Sequence, residues 1–372
     1  MPTIDLHDIT KEFGSFAAVD NLSLHVEDGD FITLLGPSGC GKTTTLRQIA
    51  GLETPTSGEI SINGRIVFSS TAHIDVPPAE RGVGFLFQNY ALWPHMTVYQ
   101  NIAFGLENLK WDTTAIRKRV DELLDLLRIR EFPDRYPAEL SGGQQQRVAI
   151  ARTLATNPKV LLMDEPLSNL DAKLRMEMRA ELKRLHHETG ATFVYVTHDQ
   201  QEAMTLATKI CLLDKGKLQQ FAPPLEVYSS PANVFVADFV GNPPINFLHG
   251  VCTDSKGDHL EFASDGMKCL FEMDGGKAIR KGEKITVGVR PEYINLVDHG
   301  VPATVVSSLP SGMETTLRVE ICGKKMFTSV LFGLADYHVG TKVHIAFPTS
   351  LCIMFDDRNS YVGKGKLTFL EA

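Results

Sequence analysis

Nowhere does this sequence hold an apolar run of the roughly 20 residues that a bilayer-spanning helix needs. The opening residues Met1-Pro2-Thr3-Ile4-Asp5 lack the basic and apolar regions of a secretory signal. Both absences lead us to expect a cytosolic protein that sits, at most, on a membrane partner. The six cysteines (Cys40, Cys211, Cys252, Cys269, Cys322, Cys352) are scattered and form no C-x-x-C pair. That argues for reduced thiols and against a disulfide framework or a zinc site. Internal repeats and low-complexity segments are missing too. Basic charge is short, with 37 Lys and Arg against 45 Asp and Glu, for a formal net charge of −8 and a pI of about 5.9. A chain so balanced is not built to grip nucleic acid electrostatically.

What is present is an ordinary globular composition, 43% hydrophobic and 22% charged. At about 150 residues per domain, the 372 residues suggest two or three domains. The most informative stretch is Gly36-Pro37-Ser38-Gly39-Cys40-Gly41-Lys42-Thr43, which fits G-x-x-x-x-G-K-[ST]. Phe31–Leu35 before it reads as a buried strand after the turn signal Asp28-Gly29-Asp30. Thr44–Ala50 after it reads as a helix that stops at Gly51. Strand, glycine loop and helix form the context in which backbone N–H groups curl around phosphate oxygens and the helix dipole helps. In that reading Lys42 reaches the β- and γ-phosphates, and the Thr43 hydroxyl ligates Mg²⁺.

Other candidates lie along the chain. Phe13, before the Gly14 turn, stacks on an adenine or fills a core, and position alone favours the core. Gly58–Gly64 reads as a strand with an Asn-Gly turn, and residues 65–80 as less regular. Val83–Phe87 is an apolar strand running into Gln88, which could offer its amide oxygen to Mg²⁺ but in isolation reads as a surface residue. Residues 89–157 read as mainly helical, with helical spacing over Val98–Leu109 and Thr114–Leu127. The Asn89–His95 loop is unusually apolar, as at a partner site or a packed interior. Ser141 is a plausible N-cap, and Gly142 and Gly143 bare N–H groups at a second helix start, hence a second anion site. Val160–Glu165 reads as a strand ending in two acids on opposite faces, Asp164 suited to Mg²⁺ and Glu165 to polarising water. Ser168–Asp171 leads into a helix with the stripe Leu174, Met178, Leu182 and Leu185, stopped by Gly190. Thr192–Thr197 is another buried strand, followed by His198. Gln88, Asp164, Glu165, His198 and the phosphate loop all fall at carboxyl ends of strands, where α/β sheets bind ligands. After Asn242-Pro243-Pro244 short strands and turns suggest a small β barrel.

In this order the motifs resemble the ATP-binding cassette (ABC) family over roughly residues 3–240. Leu140-Ser141-Gly142-Gly143-Gln144 is similar to the family's own signature. The stretches Leu167–Arg175, Gly241–Leu248 and Gly288–Glu292 resemble ATPase subunits of carbohydrate importers of the maltose and multiple-sugar type. The resemblance implies a phosphate-loop NTPase domain over 1–240 with a helical subdomain near 89–157. It implies an OB-like β regulatory domain over 241–372. It makes Phe13 the adenine-stacking aromatic, reversing the reading from position alone. It makes Gly36, Pro37, Ser38, Gly39, Cys40, Gly41, Lys42, Thr43 and Thr44 the phosphate cradle, with Thr43, Gln88 and Asp164 around Mg²⁺. It has Glu165 orient the attacking water and His198 contact the γ-phosphate. Ser141, Gly142, Gly143 and Asp171 then serve a head-to-tail partner cassette, most simply a second copy. The implied assembly adds two transmembrane permease subunits, an extracytoplasmic solute-binding protein acting indirectly, and a place at the cytoplasmic face of the membrane. The alternatives kept open are an importer ATPase for a polyamine, iron or osmolyte, and a soluble cassette ATPase linked to nucleic acid. The segment Ser69–Val76 is longer than the family pattern and has no assigned role at this point.

Overall fold

A computed structural model describes residues 4–322, 325–348 and 350–371. The chain packs as two units, Met1–Pro224 and Leu225–Ala372. The division falls earlier than the composition change at 241.

The first unit runs β1 (Ile4–Phe13), β2 (Phe16–Val26), β3 (Phe31–Leu35), α1 (Lys42–Ala50), β4 (Ser57–Ile62), β5 (Arg65–Ser69) and β6 (Ile74–Asp75). It continues with β7 (Val83–Leu86), α2 (Val98–Asn108), α3 (Thr113–Leu126), α4 (Gly142–Ala155), β8 (Val160–Asp164) and α5 (Ala172–Thr189). β9 (Thr192–Val196), α6 (Gln200–Leu206), β10 (Lys209–Asp214) and β11 (Lys217–Ala222) close it. Two sheets form, in the orders β2-β1-β4-β5-β6 and β11-β10-β3-β9-β8-β7. In the second, β10, β3, β9, β8 and β7 pair parallel, so their carboxyl ends lie along one edge.

These parallel strands are buried on both faces, as their continuous apolar character requires. Period-2 alternation sorts their side chains between two cores. Ile32, Leu34, Leu162 and Val194 join Leu46 and Ile49 of α1 and the antiparallel sheet. Phe31, Leu161, Met163 and Phe193 join the helical side, where Met178, Leu182 and Leu185 of the predicted α5 stripe also pack. Gly51 and Gly190 end α1 and α5 in the left-handed conformation, as the sequence suggested.

Residues 65–80 are more ordered than expected, because β5 and β6 form an antiparallel hairpin. This gives Ser69–Val76 a structural role. The Arg81 guanidinium is buried and donates to the carbonyls of Gln48 (2.8 Å) and Ile49 (3.2 Å), the last turn of α1. Its Nη2 donates to Asp75 Oδ1 at 2.9 Å and its Nε to the Val76 carbonyl at 2.7 Å. The hairpin thus supplies the carboxylate that pairs a buried cation capping the phosphate-loop helix.

The second unit holds α7 (Pro224–Ser229, all but its first residue) and α8 (Val234–Phe239). Its strands are β12 (Asn246–Lys256), β13 (His259–Ser264), β14 (Met267–Met273), β15 (Lys284–Val289), β16 (Asn295–Val297) and β17 (Val301–Pro310). β18 (Glu314–Ile321), β19 (Lys325–Phe332), β20 (Lys342–Ala346), β21 (Cys352–Phe355) and β22 (Tyr361–Glu371) follow. β12-β13-β14-β22-β21-β15 close a barrel, as expected, and β16-β20-β17-β18-β19 add a five-stranded sheet that the strand pattern had not separated from it. Arg290, 1% exposed, donates to the carbonyls of Ala237 on α8, of Val240 just after it and of Tyr228 on α7. Its guanidinium also sits 4.1 Å from the centre of the Tyr228 ring. These contacts explain why both helices pack with the β unit.

Candidate nucleotide site

The loop between β3 and α1 forms the floor of the site. Gly36, Gly39 and Gly41 all take positive φ (148°, 78° and 101°). At Gly36 a Cβ would come within 2.2 Å of the Leu213 carbonyl oxygen, and at Gly41 within 2.3 Å of the Ala18 carbonyl oxygen. Only glycine fits there. The Lys42 N–H hydrogen-bonds the Cys40 side chain, whereas among the described residues the N–H groups of Gly41, Thr43 and Thr44 have no protein acceptor. They are the free donors of a helix start. Lys42 is 6% exposed and its Nζ folds back onto the carbonyls of Gly36 and Pro37, 2.8 Å from each. The Cys40 Sγ lies 3.8 Å from the same Nζ, and burial raises the thiol's pKa.

A cavity of about 330 Å³ opens over this loop. Its lining includes Phe13, Phe16, Ser38, Lys42, Thr43 and Glu165. Phe13 and Phe16 face each other across the tight β1–β2 turn and are 51% and 58% exposed. The Lys11 ammonium lies 4.9 Å from the Phe13 ring centre. Phe16 escaped the sequence reading, although two aromatics flanking Gly14 were a visible signal.

Each of the four strand-end candidates contacts a neighbour at this edge of the sheet. The Thr43 hydroxyl donates to Asp164 Oδ1 at 2.9 Å, and Arg47 stands 3.6 Å from Asp164 Oδ2. Burial is the main influence on Asp164 and raises its carboxyl pKa, against the Thr43 hydrogen bond and the Arg47 charge. Gln88 donates its amide nitrogen to Ser168 Oγ at 3.3 Å, which leaves its amide oxygen for other work. Ser168 Oγ in turn donates to the Glu165 carbonyl at 2.9 Å. The Thr43 hydroxyl, the Asp164 carboxylate and the Gln88 amide oxygen are oxygen donors of the kind that Mg²⁺ takes.

Glu165 departs from the sequence reading in its mechanism. It lies beyond β8 and adopts φ 43° rather than continuing the strand. Its N–H donates to the Val196 carbonyl at 3.1 Å, which fixes the turn. The two acids therefore diverge through a left-handed residue and not through strand alternation. That turn brings Glu165 Oε2 to 3.3 Å from His198 Nδ1.

Residues 141–143 do not line this cavity. Ser141 and Gly142 are exposed and open α4, where Gln144 Oε1 accepts from the Ser141 N–H at 2.8 Å. Asp171 is the N-cap of α5, accepting from the Leu174 N–H at 2.9 Å.

Residues 19–168 match the ABC transporter family, 241–294 the MalK OB fold domain, and 287–355 the TOBE domain. The trehalose/maltose import ATP-binding protein MalK of Thermococcus litoralis is 51% identical over 78% of this chain and 78% of its own length. The maltose/maltodextrin import ATP-binding protein MalK of Vibrio cholerae is 40% identical over 95% of both chains. The chain belongs to the ABC transporter family. A dimeric ATP-binding cassette solved in a post-hydrolysis state with ADP and Pi superimposes at a TM-score of 0.52, at 34% identity. That match covers 59% of this chain and 98% of the solved one. As an ABC cassette with this nucleotide site, the protein is an ATPase whose ATP hydrolysis drives transport.

Proposed function

We propose that this ABC ATPase drives uptake of a sugar or related polyol through separate membrane permease subunits. The observation that carries the sugar class is likeness through both units: import ATP-binding proteins named for trehalose/maltose and maltodextrin match this chain at 51% and 40% identity. A xylose/arabinose import ATP-binding protein of Haloferax volcanii is 50% identical over 80% of the chain.

Two copies pair head to tail, each ATP lying between Gly36–Thr43 of one subunit and Ser141–Gly143 of the other. In support, Ser141 and Gly142 are exposed at a helix start, and residues 141–143 do not line their own subunit's cavity. Phe13 stacks on the adenine, and the N–H groups of Gly41, Thr43 and Thr44 hold phosphate oxygens. Lys42 exchanges its loop carbonyls for phosphate. Mg²⁺, held by Thr43, Asp164 and Gln88, neutralises phosphate charge when bound. Glu165 orients the attacking water, and His198 contacts the γ-phosphate from 3.3 Å beyond Glu165. Asp171 helps join the two cassettes.

A groove of about 400 Å³ lined by Phe85, Phe87, Ala91, Trp93, Phe104 and Arg152 receives a cytoplasmic helix of the permease. Arg152 holds it open by donating to the Ala91 and Tyr90 carbonyls (2.6 and 2.7 Å) and stacking on Trp93 at 4.7 Å. No helix among the described residues is long and apolar enough to cross a membrane. The cassette then rests on the cytoplasmic face. The test is purification from membranes with its permeases, followed by ATPase assays in proteoliposomes with solute-binding protein and candidate solutes. Stimulation by a sugar or polyol supports the reading. Stimulation by a polyamine or by iron instead overturns the solute class.

A further inference from the structure

Behind His198 lies a buried polar network that the mechanism above does not use. Glu202 on α6 is 4% exposed, and its Oε2 accepts from Tyr195 Oη at 2.7 Å and from Thr197 Oγ1 at 2.6 Å. The Thr197 hydroxyl accepts in turn from the Asp199 N–H at 3.0 Å. Both neighbours of His198 are therefore tied down, one on each side. Arg175, on the first turn of α5, reaches the same group. Its Nη1 lies 3.6 Å from Asp199 Oδ2 and its Nε 3.9 Å from Glu202 Oε1. The Nε atom is buried and makes no hydrogen bond. Meanwhile Nη2 donates to the Leu170 carbonyl at 3.1 Å, inside the Ser168–Asp171 turn.

We infer that Arg175 is a positioning residue for hydrolysis, coupling the Ser168–Asp171 turn to the loop that carries His198. One planar guanidinium spans a backbone carbonyl of one loop, the Asp199 carboxylate of the other, and the Glu202 carboxylate on α6. A shift of Leu170 carries the guanidinium with it, and Asp199, Glu202 and Thr197 pass the shift to His198. The Nε sits one short movement from a hydrogen bond to Glu202, so the contact has a tighter arrangement within reach. The inference rests on the proposed roles of His198 and of the partner cassette at the Ser168–Asp171 turn.

The test uses the full-length protein and steady-state ATP hydrolysis, with nucleotide affinity read from a fluorescent ATP analogue. Arg175→Gln and Thr197→Val should each lower kcat about tenfold or more while KM and analogue affinity stay within about twofold. Arg175→Lys, which keeps the charge but not the fork, should recover part of the loss. Glu202→Gln combined with Arg175→Gln should be no slower than the worse single variant, because both cut one path. Unchanged kcat in Arg175→Gln and Thr197→Val would overturn the inference. So would losses that multiply in the double variant, or a fall in affinity and unfolding temperature that accounts for the lost rate. If Arg175→Gln does not fold, Thr197→Val and Arg175→Lys decide by the same criterion. His198→Ala is the separate control: full activity there removes the role of His198, whereas an inactive His198→Ala beside active Arg175 variants removes only the coupling.

Discussion

His198 Nδ1 stands 3.3 Å from Glu165 Oε2, across the carboxyl ends of two neighbouring parallel strands. The contact is local in space but not in sequence. It exists because Glu165 leaves β8 in a left-handed turn and donates its N–H to the last residue of β9. A base that must take a proton from water gains from a polar neighbour that fixes its rotamer.

Glu165→Gln keeps the size and the turn but removes the proton acceptor. ATP binding should persist, hydrolysis should fall at least about 10²-fold, and an ATP-bound dimer should accumulate. Turnover near that of the parent protein would take Glu165 out of the mechanism.

Phe13 offers one face to the cavity while the Lys11 ammonium lies 4.9 Å from its ring centre. Base–aromatic stacking contributes roughly 1–3 kcal/mol, so Phe13→Ala should weaken ATP binding at least about fivefold. Phe13→Tyr should stay within about twofold. If Phe16→Ala shows the larger loss, the adenine stacks on Phe16 instead.

Much of this site was legible because its parts are local. A strand, a glycine loop and a helix follow one another in sequence, and so do the caps Gly51 and Gly190. What escaped was set by partners distant in sequence. Nothing around Glu165 announces its turn, because the Val196 carbonyl that fixes it belongs to another strand. The Ser69–Val76 hairpin gained its meaning from Arg81, whose other partners are carbonyls of α1. In the second unit, barrel and sheet strands alternate alike, so the exit from the barrel after β15 and the return at β21 follow from pairing and not from pattern.

Asp164 makes stability and function oppose each other. Burial, the largest influence, lifts its carboxyl pKa above the ordinary value. An acid raised in the folded state contributes stability that is complete below the ordinary carboxylate range. That contribution is lost as pH rises through the lifted value. At neutral pH the ionised carboxylate therefore costs the nucleotide-free protein stability. Asp164→Asn keeps an acceptor for Thr43 and should raise the melting temperature at pH 7.5. The advantage should shrink as pH falls toward about 4. The variant should also lose Mg²⁺-dependent hydrolysis. An advantage that grows on acidification would contradict the assigned cause.

The shared-site geometry is best tested at Gly142. A Cβ on the buried Gly143 would lie 2.8 Å from both terminal carbons of Leu174, so substitution there disturbs the chain's own packing. Gly142 is exposed, and its Cβ would meet nothing closer than Leu170 Cδ2 at 3.7 Å. Gly142→Asp should therefore fold and bind ATP as a monomer, since residues 141–143 do not line their own cavity. Across a closed interface the new carboxylate faces a triphosphate, and two like charges 4 Å apart repel by about 4 kcal/mol at an effective dielectric of 20. Dimer closure and hydrolysis should both fail. Lys42→Ala should instead weaken nucleotide binding in its own subunit. A mixed dimer of the two variants collects both lesions at one composite site and leaves the other intact, so mixing should restore some hydrolysis. The deciding measurement is nucleotide binding by the isolated Gly142→Asp monomer. Binding lost there, with the fold intact, would place the signature at its own subunit's ATP and end the head-to-tail arrangement.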